Sequence, residues 1–324
     1  MARLLVRINN EGRYQFGELL TAAPHKPDDM VQVRLLSDAG TTAEFLGELD
    51  QAVGAAKAGE TLSIEARHLS SPVTGDASLI CQGLNYSDHA QESGHHTRKA
   101  NLFFAKASSS LSGPYDDIVR PEGVELLDYE AEIGIILRKE VTAGTKVDAS
   151  NIGDYVAAVT LCNDVSARDM MFGASFLQWF QGKSYRTFCP TGPVLYWMER
   201  DEVSKILENL SFSLDYRQAT RQSAKSADQV YKAPETLTQI ATFMDLKAGD
   251  MILTGTPGGV LSQATPTLAK ILATRLFDDV ARRLELVAEA KLGDPHLQPE
   301  ELLALRLHDD ANDVDLGGQY CFIA

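Results

Sequence analysis

The chain reads as a β-dominated α+β protein: a small α/β unit followed by a larger β-rich body that carries a helical segment near its C-terminal end. Three observations predict this. From Ser78 onward, many short β-type runs are separated by Gly, Pro and Asp, with few helical stretches between them. The first seventy or so residues have a different texture, in which short strand-like runs precede an Ala-rich helical stretch and a cluster of breakers. Between Pro266 and Pro295, apolar residues recur at intervals of three and four, with charges interleaved.

In chain order, LLVRI, YQFGELL and VQVRLL predict three strands, and Thr42 to about Ala58 predicts a helix. LSIEARHL leads into SSPVTGD at Ser70 to Asp76, where we place a boundary between a small domain (1–74) and a larger one (75–324). SLICQGL, NLFFAKA, AEIGIILRKEV, YVAAVTLCND, GPVLYW, LSFSLDY and DMILTGTP predict the strands of the larger domain. Leu268, Ile271, Leu272, Leu276, Val280, Leu284 and Val287 predict one long amphipathic helix of roughly 35 to 40 Å within an insertion at 262–296. The strand-like LLALRL and QYCFIA close the chain.

Composition narrows the function. With 324 residues, 44% of them hydrophobic and 23% charged, the chain can bury a core without staples, and no run of apolar residues is long enough to span a membrane. The N-terminus lacks a signal-peptide apolar core, so the expected compartment is the cytoplasm. A formal charge of -15 opposes nucleic-acid binding, which needs Lys and Arg against phosphates. It does not oppose a small anionic substrate, since a local cation can reverse the field of a pocket. Cys81, Cys162, Cys189 and Cys321 are scattered without zinc spacing and read as free thiols, with a disulfide among them left open.

Two local patterns carry chemistry. In DYEAE, residues 128–132, strand alternation puts Glu130 and Glu132 on one face. Two carboxylates side by side repel unless a cation sits between them, so the pair is a candidate site for a hard metal, with Asp164 of NDVSARD as a third oxygen ligand. The alternative is the solvated face of an amphipathic strand. In GLNYSDHAQE, His89 and Glu92 stand three apart, which on a helical turn places imidazole and carboxylate together as in an oriented general base. A surface pair that only supports the helix has the same spacing.

Taken together, GLNYSDHAQE, DYEAE, NDVSARD, QGKSYRTFCPTGP and DMILTGTPGGV stand in the order and spacing of the fumarylacetoacetate hydrolase superfamily, which the chain resembles from about Ser78 to Val260. The resemblance is to short-form members with a small N-terminal domain. It implies a mixed β-sandwich roll, a homodimer and a divalent cation, usually Mg²⁺ with Mn²⁺ or Ca²⁺ as alternatives, held by Glu130, Glu132 and Asp164. It further implies a small keto-acid substrate, His89 oriented by Glu92 as base toward an attacking water, and Lys183 directed at the substrate. Lys106, Thr256 and the backbone at Gly255 correspond to positions beside the family's substrate, although a tight turn also accounts for the glycines at 255, 258 and 259.

The chain departs from the family pattern twice. Met171 stands where the family commonly has a Gln able to donate a hydrogen bond, and about thirty-five residues follow GTPGGV where relatives run almost directly into the final strands. Three readings follow. The first is a metal-dependent hydrolase that cleaves a C–C bond of a 2,4-dioxo acid or acylpyruvate, such as fumarylacetoacetate or fumarylpyruvate, in aromatic catabolism. The second is a decarboxylase, isomerase or dehydratase of a 2-oxo acid on the same site, and the third a catalytically idle binding paralogue. The intact His89 and Glu92 pair favours the first.

Overall fold

The computed structural model describes residues 2–51, 59–92, 100–293 and 295–324, with the side chains of 51 and 89–91 outside the description. The N-terminal part contains β1 (Arg3–Asn10), β2 (Arg13–Leu19), β3 (Met30–Ser37), α1 (Thr42–Gln51), β4 (Thr61–Glu65) and β5 (Leu69–Ser70). The helix expected to about Ala58 is seen to Gln51, and its remainder lies outside the described residues. Next come β6 (Leu79–Gly83), α2 (Ser87–Glu92), β7 (Leu102–Lys106), β8 (Leu111–Ser112), β9 (Leu127–Asp128) and β10 (Ala131–Leu137). They are followed by α3 (Ile152–Tyr155), β11 (Val156–Asn163), β12 (Ser166–Ala167), α4 (Arg168–Gly173), α5 (Trp179–Lys183), β13 (Cys189–Pro190) and β14 (Leu195–Trp197). The last part holds α6 (Val203–Leu207), β15 (Leu210–Tyr216), β16 (Ala219–Lys225), α7 (Ala233–Ile240), β17 (Met251–Leu253), α8 (Pro266–Thr274), α9 (Asp279–Ala290), β18 (Leu302–Asp309) and β19 (Val314–Phe322).

The fold is β-dominated with mixed sheets, as the short apolar runs predict. The main sheet runs β4-β3-β2-β1-β14-β11-β10-β17-β6-β7, with β5 paired to β1. The N-terminal strands join it through β1 against β14, Leu4 opposite Tyr196, so hydrogen bonding is continuous across residue 74. β6 and β17 are parallel and the other pairs of this sheet antiparallel. A second sheet, β16-β15-β18-β19, packs its apolar side toward β10. Ile133 and Ile135 point into that core, and Ile136, one residue out of phase, joins Phe16, Phe45 and Met251 in the other. β10 is therefore buried on both faces, and any polar side chain it carries must find partners inside the protein.

The inserted segment differs from the single helix expected. α8 and α9 form a hairpin, because Asp278 accepts a hydrogen bond from Ala281 N at 3.1 Å and so caps a new helix where the old one would have continued. Thr265 caps α8 in the same way, with Pro266 at its first position. The apolar stripe is correspondingly divided: Leu286 and Val287 pack on Leu126, Phe172, Leu268 and Leu272, while Leu276, Val280 and Leu284 face water. All four cysteines are free and buried. No helix among the described residues is long and apolar enough to cross a membrane.

Candidate metal centre

The antiparallel register of β10 and β11 sets Ala131 opposite Asn163 and Glu132 opposite Cys162. One step beyond that pairing, Asp164 N donates to Glu130 O at 2.8 Å, which brings the start of one motif against the end of the other. Ligand oxygens of Glu130, Glu132 and Asp164 lie within 4.8 Å of one another, and all three side chains are buried. The solvated-strand alternative for Glu130 and Glu132 is thereby excluded.

Three cations surround this group. Lys183 Nζ donates to Glu130 Oε2 (2.8 Å), Asp164 Oδ2 (2.6 Å) and Ser166 Oγ (2.8 Å). Lys106 Nζ donates to Asp164 Oδ1 (2.5 Å) and Phe188 O (2.9 Å). The Arg168 guanidinium bridges Asp128 Oδ2 (2.9 Å) and Glu130 Oε1 (2.7 Å). Asp128 is held further by the amides of Tyr129, Leu261 and Ser262. Counting Asp128, four buried carboxylates face three buried cations, so the cluster is formally one negative charge over.

That excess falls on Glu132. Its Oε2 accepts from Gly255 N at 2.7 Å, while its buried Oε1 accepts no hydrogen bond among the described residues. Burial pushes the Glu132 carboxyl well above the usual range, and the charges of Asp164 and Glu130 push it further, against Lys183 and the Gly255 amide. Burial disfavours the charge of Lys183, but Asp164 and Glu130 outweigh it and hold the ammonium above its ordinary pKa. An orphaned carboxylate oxygen beside two further carboxylates, all hard oxygen donors, fits a divalent cation of the Mg²⁺ or Ca²⁺ type.

The glycine-rich turn after β17 is built around Glu132. Gly255 has φ +88°, and a Cβ there would lie 2.8 Å from Asn85 Cβ, so only glycine lets its amide reach the carboxylate. Thr256 Oγ1 donates to Ala131 O (3.0 Å) and accepts from Gln222 Nε2 (2.8 Å). Further along the turn, Gly259 N donates to both carboxylate oxygens of Glu92, at 3.1 and 3.0 Å. This docks α2, the helix of His89, on the turn that holds Glu132. The His89 side chain itself lies outside the described residues.

Of the positions singled out in the sequence, the structure gathers Glu130, Glu132, Asp164, Lys183, Lys106 and Gly255 at one centre, with Thr256 following Gly255 in the turn and Glu92, at the end of α2, bound to the Gly259 amide of the same turn. Sequence reasoning missed Arg168, Asp128, Ser166 and Gln222. Arg168 and Asp128 stood inside the quoted motifs, and a base in one motif facing an acid in the other was the available signal. Met171 is buried against α5, where a Cβ on Gly182 would lie 2.3 Å from its Cγ, so it seats the helix of Lys183 by packing. A cavity of about 220 Å³ lined by Ile133, Ile135, Leu210 and Thr254 lies on the opposite side of β10 and belongs to a different face of the sheet.

The inserted hairpin is pinned to this centre. α9 packs on α4, and Arg283 Nη2 reaches Asp169 Oδ2 at 2.6 Å, next to Arg168. Ser262 N binds Asp128, Leu297 N binds Leu127 O (2.9 Å), and Ser262 Oγ meets His296 Nε2 at 2.8 Å.

The chain is similar to known proteins over much of its length. A mitochondrial oxaloacetate tautomerase of Bos taurus is 36% identical over 189 residues, 58% of each chain. One of Rattus norvegicus is 38% identical over the same share. The chain thus spans 58% of the length of these curated relatives. Among solved structures, a fumarylacetoacetate hydrolase from Exiguobacterium antarcticum superposes with TM-score 0.71 at 23% identity, covering 99% of both chains. A 2-hydroxyhepta-2,4-diene-1,7-dioate isomerase from Mycobacterium marinum gives 0.66 at 20%, covering 99% of this chain and 98% of that one. These two likenesses bear on the fold. The model of the fumarylacetoacetate hydrolase C-terminal domain matches residues 78–281, a span that includes all three clustered carboxylates and Lys183, and the chain belongs to that family.

Proposed function

We propose that the protein is a metal-dependent enzyme of small anionic 2-oxo acids, and that it hydrolyses a C–C bond in a 2,4-dioxo acid of the acylpyruvate, fumarylpyruvate or fumarylacetoacetate type, as a cytoplasmic homodimer in the breakdown of aromatic compounds. The observation that carries this reading is the buried triad Glu130, Glu132 and Asp164 with the orphaned Glu132 Oε1. These three residues hold the cation, with Mg²⁺ the first choice. When bound, such an ion supplies the positive charge against which the oxygens of a 2-oxo acid bind and enolate charge collects. Lys183 stays protonated through the working range and, with its protons engaged by Glu130, Asp164 and Ser166, acts on the substrate carboxylate or enolate oxygen through its charge. Lys106 and Arg168 fix the orientations of Asp164 and Glu130. His89, oriented by Glu92, takes a proton from the water that adds to the scissile carbonyl and returns it to the carbon released. The docking of α2 by Glu92 on the turn of Gly255 supports a role for this pair beside the triad.

A second reading, tautomerisation or isomerisation of a 2-oxo acid such as oxaloacetate without an attacking water, keeps the same triad and is consistent with Met171, an apolar departure from the family pattern that packs on α5 and brings no hydrogen-bond donor. The names of the curated relatives point the same way. One experiment separates the two. Purified protein with Mg²⁺ is given acylpyruvates, fumarylpyruvate and oxaloacetate, the enol absorbance is followed, and products are identified. Cleaved acids, lost by roughly 10²-fold or more in His89→Ala, are expected for hydrolysis. Keto–enol interconversion alone would establish the second reading, and inertness toward every substrate would overturn both.

A further inference from the structure

We propose that a second copy of this chain docks on an apolar face built jointly by the α8–α9 hairpin and the 174–178 loop, an assignment that rests on the homodimer reading and names its surface. The face is conspicuous because large apolar side chains are held out of the core on both of its elements. Phe176 is 78% exposed, Phe277 76%, Val280 72% and Leu284 66%, with Leu276 and Leu177 nearly half exposed. Phe176 and Phe277 meet edge to face at 6.0 Å, which makes one continuous surface of the two elements, and Val280 and Leu284 extend it by a helical turn.

The loop is fixed in this posture. Phe176 and Leu177 have φ of 62° and 49°, a left-handed conformation that bulky residues rarely adopt, and one that persists where the surroundings enforce it. The surroundings are visible: Ser175 donates to Asp279 from its amide (2.8 Å) and its hydroxyl (2.5 Å), and Gln178 N donates to Met171 O (2.9 Å).

Area and charge identify the occupant. Taking roughly 200 Å² for a whole phenylalanine and somewhat less for leucine or valine, the six side chains leave on the order of 700 Å² of apolar surface in water. That exceeds the roughly 300–600 Å² of the largest patch on an ordinary monomer and approaches the roughly 800 Å² that each partner of a standard interface contributes. The chain as a whole carries 45 acidic against 30 basic residues, so two copies repel over most of their surface. Residues 262–296 carry five of each sign, and a copy can approach there without repulsion. An anionic membrane or a nucleic acid would call for a basic excess, which this segment lacks.

The test is the mass of the full, metal-loaded chain by sedimentation velocity over a range of concentrations. The wild type is expected at twice 35.3 kDa. Phe277→Asp and Leu284→Asp should dissociate to single chains, with the dimer constant weakened by roughly 10²-fold. Phe277→Leu and Leu284→Met, which keep the face apolar, should retain the wild-type mass. A far-UV circular dichroism spectrum like the wild type's and a single cooperative melting transition in the Asp variants verify that the fold survives at these exposed positions. Should the Asp variants stay dimeric, the surface is refuted while the homodimer reading stands. A wild type that is a single chain throughout refutes both, and so does capture of the wild type, but not the Asp variants, by vesicles of anionic lipid when no dimer forms.

Discussion

Replacing Glu132 by Gln tests the metal centre without recourse to activity. Ligand oxygens of Glu130 and Asp164 lie within 4.8 Å of Glu132, and at an effective dielectric near 20 each like-charge pair at that separation costs about 3 kcal/mol. Lys183 and Lys106 bond to Glu130 and Asp164 but not to Glu132, so they offset only part of this. Glutamine keeps the acceptor for Gly255 N and removes the charge. In chelator, Glu132→Gln should therefore be as stable as the wild type or more stable, by about 1–2 kcal/mol once the lysines are counted. A cation at a hundred times its dissociation constant adds about 2.7 kcal/mol to the wild type. For a chain of this length that is roughly 4–8 °C in melting temperature. Scanning calorimetry over a Mg²⁺ series should show the wild-type transition rising by this amount and the variant's staying flat. A wild type that ignores Mg²⁺, Mn²⁺ and Ca²⁺, or a variant that keeps the full rise, would refute the reasoning.

Two further outcomes follow from buried charges. Lys106→Met leaves the fully buried Asp164 without one of its cations and should cost about 3–5 kcal/mol in urea unfolding; a loss below about 1 kcal/mol would mean that Lys183 alone suffices for Asp164. Burial holds His296 below the ordinary histidine pKa, so its proton binds more readily in the unfolded chain. Its contribution to stability is complete above the unfolded pKa near 6.5 and is lost as pH falls through the lower folded value. Melting temperature should accordingly drop less between pH 7.5 and 5.5 in His296→Gln than in the wild type, and equal drops would remove His296 as a source of acid sensitivity.

Much of this architecture was legible because strand alternation and metal chemistry are both local signals. DYEAE announced adjacent carboxylates, and the apolar runs from SLICQGL to QYCFIA correspond to β6, β7, β10, β11, β14, β15, β17, β18 and β19, while the two-residue strands β8, β9, β12 and β13 are too short to leave a pattern. β16 was missed because ATRQSAK is too polar to read as a strand, and its pairing with β15 is a tertiary effect. The helical hairpin was read as one helix because periodicity continues through residues 275–278, whereas the cap at Asp278 decides the break. Arg168 and Asp128 went unnoticed because their role appears only when β12 pairs with β9 and sets Ser166 opposite Asp128. Sequence also shows which lysines stand near a site, but not that all the protons of Lys183 are already engaged by Glu130, Asp164 and Ser166.

The contact between Ser262 and His296 has a consequence for how this chain can change over time. Because the outgoing and returning ends of the hairpin touch each other and grip the same short strand at Leu127 and Asp128, the segment between them is a closed loop whose two ends meet at one place, with α9 fastened further to Phe172 and Asp169. Closing a loop costs only about 0.6 kcal/mol more for each doubling of its length. Residues can therefore be gained or lost between these ends without shifting the register of β10 against β11, on which the carboxylates depend. The carboxylates sit in a sheet that tolerates no slippage, whereas the stretch of the hairpin between its anchors is nearly free to drift in length.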